Sequence, residues 1–197
     1  MKLENKVAVV TASITGIGYA TVKKLAENGA TTYLAAHLKE DSLKAVNELT
    51  SQGLNVKYVY FDALDSTTHQ ACIDEVIQNE GRIDILVNNY GATDVTKDLD
   101  LVSGDTDTFF HTVNTNIQSV YLTCKAALPA MIKQGGGSII NVSSIGSIVP
   151  DLSRLGYMVS KSAINCLTEN IAFEYARYGV RCMLTSSDFS ISKYFVP

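Results

Sequence analysis

Tyr157 and Lys161 stand four residues apart in a segment of helical period, so both side chains emerge on one face and their polar ends can act on one ligand. A free tyrosine titrates near pH ~10, and a neighbouring ammonium favours the phenolate, each unit of lowering being worth about 1.4 kcal/mol. The spacing therefore predicts a phenol that exchanges a proton with an alcohol or a carbonyl near neutral pH. Ser144, at the end of the strand before this helix, is expected to hydrogen-bond the same substrate oxygen. Asn116, in the middle of a long helix, is expected to hold a water beside the lysine.

A second group of residues suits a phosphate. Thr11-Ala12-Ser13-Ile14-Thr15-Gly16-Ile17-Gly18 follows a first strand and leads into a helix, where small residues let the backbone approach a pyrophosphate and the helix start offers free N–H donors. Thr11, Ser13, Thr15, Gly16, Ile17 and Gly18 are the expected cofactor contacts there. Asp62, with Ala63 beside it, closes the third strand, where a carboxylate can accept from an adenine amino group. Asn88-Asn89-Tyr90-Gly91 closes the fourth and forms another wall of the same crevice, with Asn89 as the expected contact.

These groups need elements to hold them. Short apolar runs at Val7–Thr11, Thr32–Ala36, Val56–Phe61, Ile85–Val87 and Ser138–Val142 read as strands. Ile17–Asn28, Asp41–Gln52, Ser66–Asn79, Asp107–Lys133 and Tyr157–Tyr178 carry apolar residues on one face and read as helices. That alternation predicts an α/β fold, a doubly wound parallel sheet in three layers of Rossmann-like type, with ligands at the strand C-terminal ends.

Taken in order, the motifs resemble those of a short-chain dehydrogenase/reductase over residues 1 to about Cys182. Thr11 to Gly18 is similar to the family's glycine-rich cofactor turn, Asp62 to its adenine contact, and Asn88-Asn89-Tyr90-Gly91 to its Asn-Asn-Ala-Gly motif. Asn116, Ser144, Tyr157 and Lys161 fall where the family carries its catalytic tetrad, with Ser144 and Tyr157 thirteen residues apart. The resemblance implies a nicotinamide cofactor touched also by Tyr157 and Lys161, a secondary alcohol or ketone as substrate, and a homotetramer for the full-length family form. Asn89-Tyr90-Gly91, Gly104-Asp105-Thr106-Asp107, Val149-Pro150-Asp151 and Ser160-Lys161-Ser162-Ala163-Ile164-Asn165 resemble bacterial members that oxidise the 7α-hydroxyl of bile acids with NADP. The alternatives are a 3-oxoacyl-carrier-protein reductase, another secondary-alcohol dehydrogenase, and a catalytically silent nucleotide-binding module.

The chain departs from the family in places. Ala12 replaces the usual first glycine, which is expected to remove access to positive φ there. Thr15 and His37 stand where NADP-preferring members often place basic residues, and Ala36 where NAD-preferring members carry Asp. With no carboxylate to bind a ribose 2′-hydroxyl or repel a 2′-phosphate, NADP is the expected cofactor, NAD the less favoured one, and His37 a phosphate contact. After Val180-Arg181-Cys182 the resemblance is expected to fail in mid-strand, as in a truncated or frame-shifted reading, leaving residues 183–197 atypical and the 197-residue chain a poor enzyme.

Composition bounds the remaining classes. The chain has 197 residues, 46% of them hydrophobic, which suits one domain over 1–197 with a sizeable core. Its 16 basic and 20 acidic residues give a net charge of −4 with no basic cluster, which speaks against nucleic acid. Charges in the first ten residues and no long apolar run predict a cytoplasmic protein without signal peptide or membrane span. Cys72, Cys124, Cys166 and Cys182 form no CxxC pair, so no metal site or disulfide framework is expected. His69 and His111 are expected to do nothing chemical.

Overall fold

The apolar runs pair side by side as parallel strands. β1 (Val7–Thr11) lies between β2 (Thr31–Ala36) and β4 (Ile85–Asn88). β3 (Val56–Tyr60) flanks β2, while β5 (Gly137–Ser144) and β6 (Val180–Ser187) continue beyond β4. The structure is a computed structural model that describes residues 1–150 and 154–187. Its sheet order, β3-β2-β1-β4-β5-β6, reverses direction between β1 and β4, so the crevice for a ligand opens at the C-terminal ends of those two strands.

Five helices return the chain between strands: α1 (Gly16–Glu27), α2 (Lys39–Ser51), α3 (Thr67–Glu80), α4 (Thr106–Lys133) and α5 (Leu155–Tyr175). Alternate residues of each strand feed two cores. Ala8, Val10 and Leu34 pack with Val22 and Ala26 of α1 and Val46 and Leu49 of α2. Val9, Tyr33, Leu86 and Ile139 pack with Ile73 of α3, Val120 and Met131 of α4 and Ile164 of α5 on the other face. Burial on both sides is why β1 shows no polar alternation; all five of its residues are buried.

The expected strands and helices are present, with ends that move by a few residues. β5 runs past Val142 to Ser144, and α5 starts at Leu155 and tightens into a 3₁₀ turn at Ala176–Tyr178. The change in sequence after Cys182 does not interrupt β6, whose Met183, Leu184 and Thr185 pair with Ile140, Asn141 and Val142. A parallel ladder is made by the backbone and needs only extended residues. Asp151 and the segment 188–197 lie outside the described residues.

The turn after β1 corrects one expectation. Ala12 does adopt positive φ, at 51°, without being glycine. The conformation is held from both sides: the Asn89 side-chain amide donates to the Ala12 carbonyl at 2.9 Å, and the Ser13 hydroxyl donates to the Val10 carbonyl at 2.7 Å. A non-glycine residue in the left-handed region costs about 1–2 kcal/mol, partly offset in a glycine variant by extra freedom in the unfolded chain. Ala12→Gly is therefore expected to stabilise the chain by roughly 0.5–1 kcal/mol. Chemical denaturation checks it, and an unchanged or lowered midpoint contradicts the strain.

Candidate active site

The first two turns of α5 carry Tyr157 and Lys161 inward. Lys161 is 1% exposed, and its Nζ donates to the carbonyls of Val142, at 2.8 Å, and Tyr90, at 3.3 Å. An ammonium has three protons, so one remains for a ligand. Gly91 is what admits this side chain: a Cβ there would lie 2.5 Å from Nζ and 2.8 Å from Cε. Nζ sits 5.5 Å from the centre of the Tyr157 ring.

Burial governs both groups. It pulls the Lys161 ammonium down to about 8, and it pushes the Tyr157 phenol up, against the pull of the nearby Ser144 hydroxyl and the positive charge of Arg154. The expectation that Lys161 lowers the phenol is thus corrected. Its ammonium is turned toward two strand-end carbonyls, and the cost of a buried phenolate dominates.

Ser144, the last residue of β5, is buried, lies near enough to the phenol to favour its ionised form, and accepts from the Gly146 amide at 3.2 Å. Asn116 is tied into the fold by three bonds. Its two amide protons go to the Ala92 carbonyl and the Ser160 hydroxyl, and its Oδ1 accepts from the Ala92 amide. The side chain thus joins α4 to the end of β4 and to α5, with one Oδ1 lone pair left over for a water. Ser160 in turn donates to the Tyr157 carbonyl at 2.6 Å.

One residue in this cluster was not visible in the sequence. Asp98, in the loop between β4 and α4, is 2% exposed and accepts from the amides of Gly156 and Tyr157. No motif or spacing marks it, because its partners lie about sixty residues away in the chain.

The glycine turn fits a dinucleotide. Gly18 has no room for a side chain, since a Cβ would lie 2.6 Å from Ser13 Cα and 2.7 Å from Asn89 Nδ2. Gly16, at φ 58°, faces open space, and Thr15 at the start of α1 makes no side-chain cap, so the first amides of the helix stay available for an anion. Thr15 and Ile17 are exposed there. Thr11 and Ser13 instead use their hydroxyls inside the turn, Thr11 accepting from the Asn89 amide at 3.0 Å. Asn89 likewise braces the turn from behind.

Beside it a cleft of about 280 Å³ is lined by Ala36, His37, Phe61, Asp62, Ala63 and Tyr90, among others. Asp62 Oδ1 accepts from the Leu64 amide, and its other oxygen has no partner among the described residues. A flat apolar slot with one free carboxylate oxygen suits an adenine. His111 lines a charged hollow of about 800 Å³ with Asp94, Lys97 and Asp107, which shares Leu64 and Tyr90 with that cleft. His69 is buried edge-on to Phe61. Among the described residues no His, Cys, Asp and Glu cluster could hold a metal, and no helix is long and apolar enough to cross a membrane.

Residues 6–188 match the family described as short chain dehydrogenase, so the similarity runs past Cys182. The chain is 54% identical to a 7alpha-hydroxysteroid dehydrogenase of Clostridium sardiniense, over 92% of this chain and 69% of that protein. It is 50% identical to one of Paraclostridium sordellii, over 92% of this chain and 68% of that protein. Among solved structures, a gluconate 5-dehydrogenase of Burkholderia cenocepacia J2315 in complex with NADP and tartrate superposes with a TM-score of 0.88 at 28% identity, over 95% of this chain and 72% of that one. An NAD+-bound xylitol dehydrogenase does so with a TM-score of 0.90 at 28% identity, over 96% and 72%.

The depressed Lys161 ammonium has a measurable consequence. Between its folded value of about 8 and the ordinary lysine value the unfolded chain binds more protons, so the folded state gains stability as pH rises through that window. The stability of the wild type relative to Lys161→Met is expected to rise by on the order of 1 kcal/mol per pH unit above 8 and to stay flat below it. Denaturant titrations of both proteins at several pH values check this, and a constant difference contradicts it.

Proposed function

This chain belongs to the short-chain dehydrogenase family and is an oxidoreductase acting on CH–OH groups; from that premise we propose that it interconverts the 7α-hydroxyl of a bile acid and the matching ketone, using NADP. The observation that carries the reading is the meeting of the Tyr157 phenol, the Ser144 hydroxyl and the Lys161 ammonium at the ends of β4 and β5. The likeness to two 7alpha-hydroxysteroid dehydrogenases supports the steroid. So does an apolar lip directly after Ser144, where Ile145, Ile148 and Val149 are 45%, 70% and 53% exposed. A sterol face laid on it removes apolar surface from water, worth about 25 cal/mol per Å².

In this reading Ser144 holds the reacting oxygen and Tyr157 exchanges its proton. Burial keeps the phenol protonated, which suits it to donate to the oxygen of a ketone being reduced. Lys161 keeps its free proton for a ligand hydroxyl, and Asn116 with Ser160 fixes the turn of α5 that carries the phenol. The nicotinamide, when bound, supplies or removes the hydride and in its oxidised form adds a positive charge that favours the phenolate. Gly16, Ile17 and Gly18 would hold its pyrophosphate, with Thr11, Ser13, Thr15 and Asn89 shaping the turn, and Asp62 and Ala63 would hold its adenine. Ala36 and His37 support NADP, since the residues that end β2 bring no carboxylate of their own to the cleft.

The same proposal covers one domain over 1–197, a cytoplasmic location and, for the full-length family form, a homotetramer. The four free cysteines support a reducing compartment. The exposed Phe110 and Tyr121 of α4 and Phe173 of α5 support self-association.

Tyr157→Phe is expected to lower turnover of a 7α-hydroxy bile acid at least about 100-fold with NADP affinity unchanged within about twofold. Turnover by the variant within a factor of about ten of wild type overturns the reading.

Ala36→Asp is expected to weaken NADP at least about tenfold while NAD binding holds or improves. Calorimetric titration with both cofactors measures it. Equal losses for both show that the end of β2 does not meet the 2′-phosphate.

A further inference from the structure

α5 starts without a cap of its own. Arg154 precedes it in a left-handed conformation, φ 65°, with no side-chain capping bond, yet the first three amides of the helix are all engaged. Leu155 donates to the Leu99 carbonyl at 3.2 Å, Gly156 to Asp98 Oδ1 at 2.7 Å, and Tyr157 to Asp98 Oδ2 at 2.9 Å. The Asp98 carbonyl accepts from the Arg154 amide at 2.9 Å, and Thr93 adds a third donor to the carboxylate at 2.6 Å. The cap of the catalytic helix is therefore supplied from the loop between β4 and α4.

The seat is closely fitted. A Cβ on Gly156 would lie 3.1 Å from Asp98 Oδ1 and 3.2 Å from the Phe109 carbonyl, so a glycine lets the helix start settle between the carboxylate and α4. A buried carboxylate receiving charge-assisted bonds at a helix N-terminus is held more firmly than an exposed cap. Asp105, which caps α4 through the Thr108 amide, is of the exposed kind, and among the described residues its carboxylate bonds only Thr108 of its own helix.

We propose that Asp98 is the positioning residue for Tyr157: by gripping the backbone amide of that residue it sets the rotation and advance of α5, and so holds the phenol against Ser144. The proposal rests on the reading of Tyr157 as the proton-transfer group. Asp98 itself touches neither substrate nor cofactor in this scheme. A shift of about 1 Å at reacting atoms costs on the order of 100-fold in rate, so a small turn of α5 is enough to matter.

The test uses the full chain with four variants: Asp98→Ala, Asp98→Asn, Asp105→Ala as a capping control, and Tyr157→Phe. Two properties are read, the kinetic constants with a 7α-hydroxy bile acid and NADP, and the titration of 13Cζ-labelled tyrosine, with the Tyr157 signal identified by its loss in Tyr157→Phe. Asp98→Ala is expected to lower kcat about 10- to 100-fold with cofactor affinity within about twofold of wild type. It is also expected to raise the Tyr157 midpoint by about half a unit or more as the phenol moves away from the Ser144 hydroxyl. Asp98→Asn, which keeps one acceptor, is expected to fall between, and it carries the test if the alanine variant does not fold. Asp105→Ala should lose thermal stability without moving either property.

A wild-type kcat and Tyr157 titration in both Asp98 variants overturns the proposal, as does an equal effect from Asp105→Ala. Full turnover by Tyr157→Phe would instead overturn the role given to the phenol, while the titration still decides whether Asp98 sets its surroundings.

Discussion

A lysine ammonium with almost no access to water is held by two carbonyls that belong to different parts of the sheet, and the geometry of the site follows from that attachment. An unpaired buried charge would cost several kcal/mol, so Lys161 has to reach the carbonyls of both Val142 and Tyr90 to remain where it is. The two lie where the β4–β5 ladder ends, one residue past the pairing of Asn88 with Asn141 and two past Asn88 itself. The α5 helix is thereby fastened at the strand ends, and Tyr157, one turn earlier, is brought over Ser144. Burial moves the charge toward its neutral form, while the two carbonyls fix where it sits.

Immediately beneath the lysine, a row of buried polar side chains holds two helices to two strands. Thr123 of α4 donates to Asn88 Oδ1 at 2.7 Å, Asn88 donates to Asn141 Oδ1 at 2.9 Å, and Asn141 donates to Thr168 of α5 at 2.8 Å. Each member has a partner, which in a low-dielectric interior makes such a row stiff and specific. Apolar packing alone would let α4 and α5 slide on the sheet. The polar row fixes their register, and Asn116 and Asp98 then fix the first turns of α5 against α4 and its loop.

What the sequence made legible was local. β1 was readable as an unbroken apolar run followed by small residues, and the Tyr157–Lys161 pair was readable because helical period puts the two on one face. Ser144 and the glycine turn were readable from their order along the chain. Asp98, Asn141 and Thr168 were not, because their partners are brought together only by folding and no spacing announces them. Ala12 was misjudged for a related reason: its backbone is held in an unfavourable region by Asn89, far away in the chain. The direction of the Tyr157 shift was misjudged because charge proximity is visible in a motif and burial is not.

The tetrapeptide Asn88-Asn89-Tyr90-Gly91 shows how closely the two halves of the site are coupled. Asn88 enters the polar row in the core, Asn89 braces the glycine turn through Ala12 and Thr11, the Tyr90 carbonyl takes the lysine, and Gly91 clears its path. Four consecutive residues thus serve three structures: Asn88 the polar row, Asn89 the glycine turn, and Tyr90 and Gly91 together the lysine. A side chain at Gly91 would displace Lys161, and loss of the Asn89 amide would release a strained turn. The distance between the glycine turn of β1–α1 and a phenol held by α5 is therefore set at the end of β4. That is the point of topological reversal, where the sheet leaves backbone free to do it.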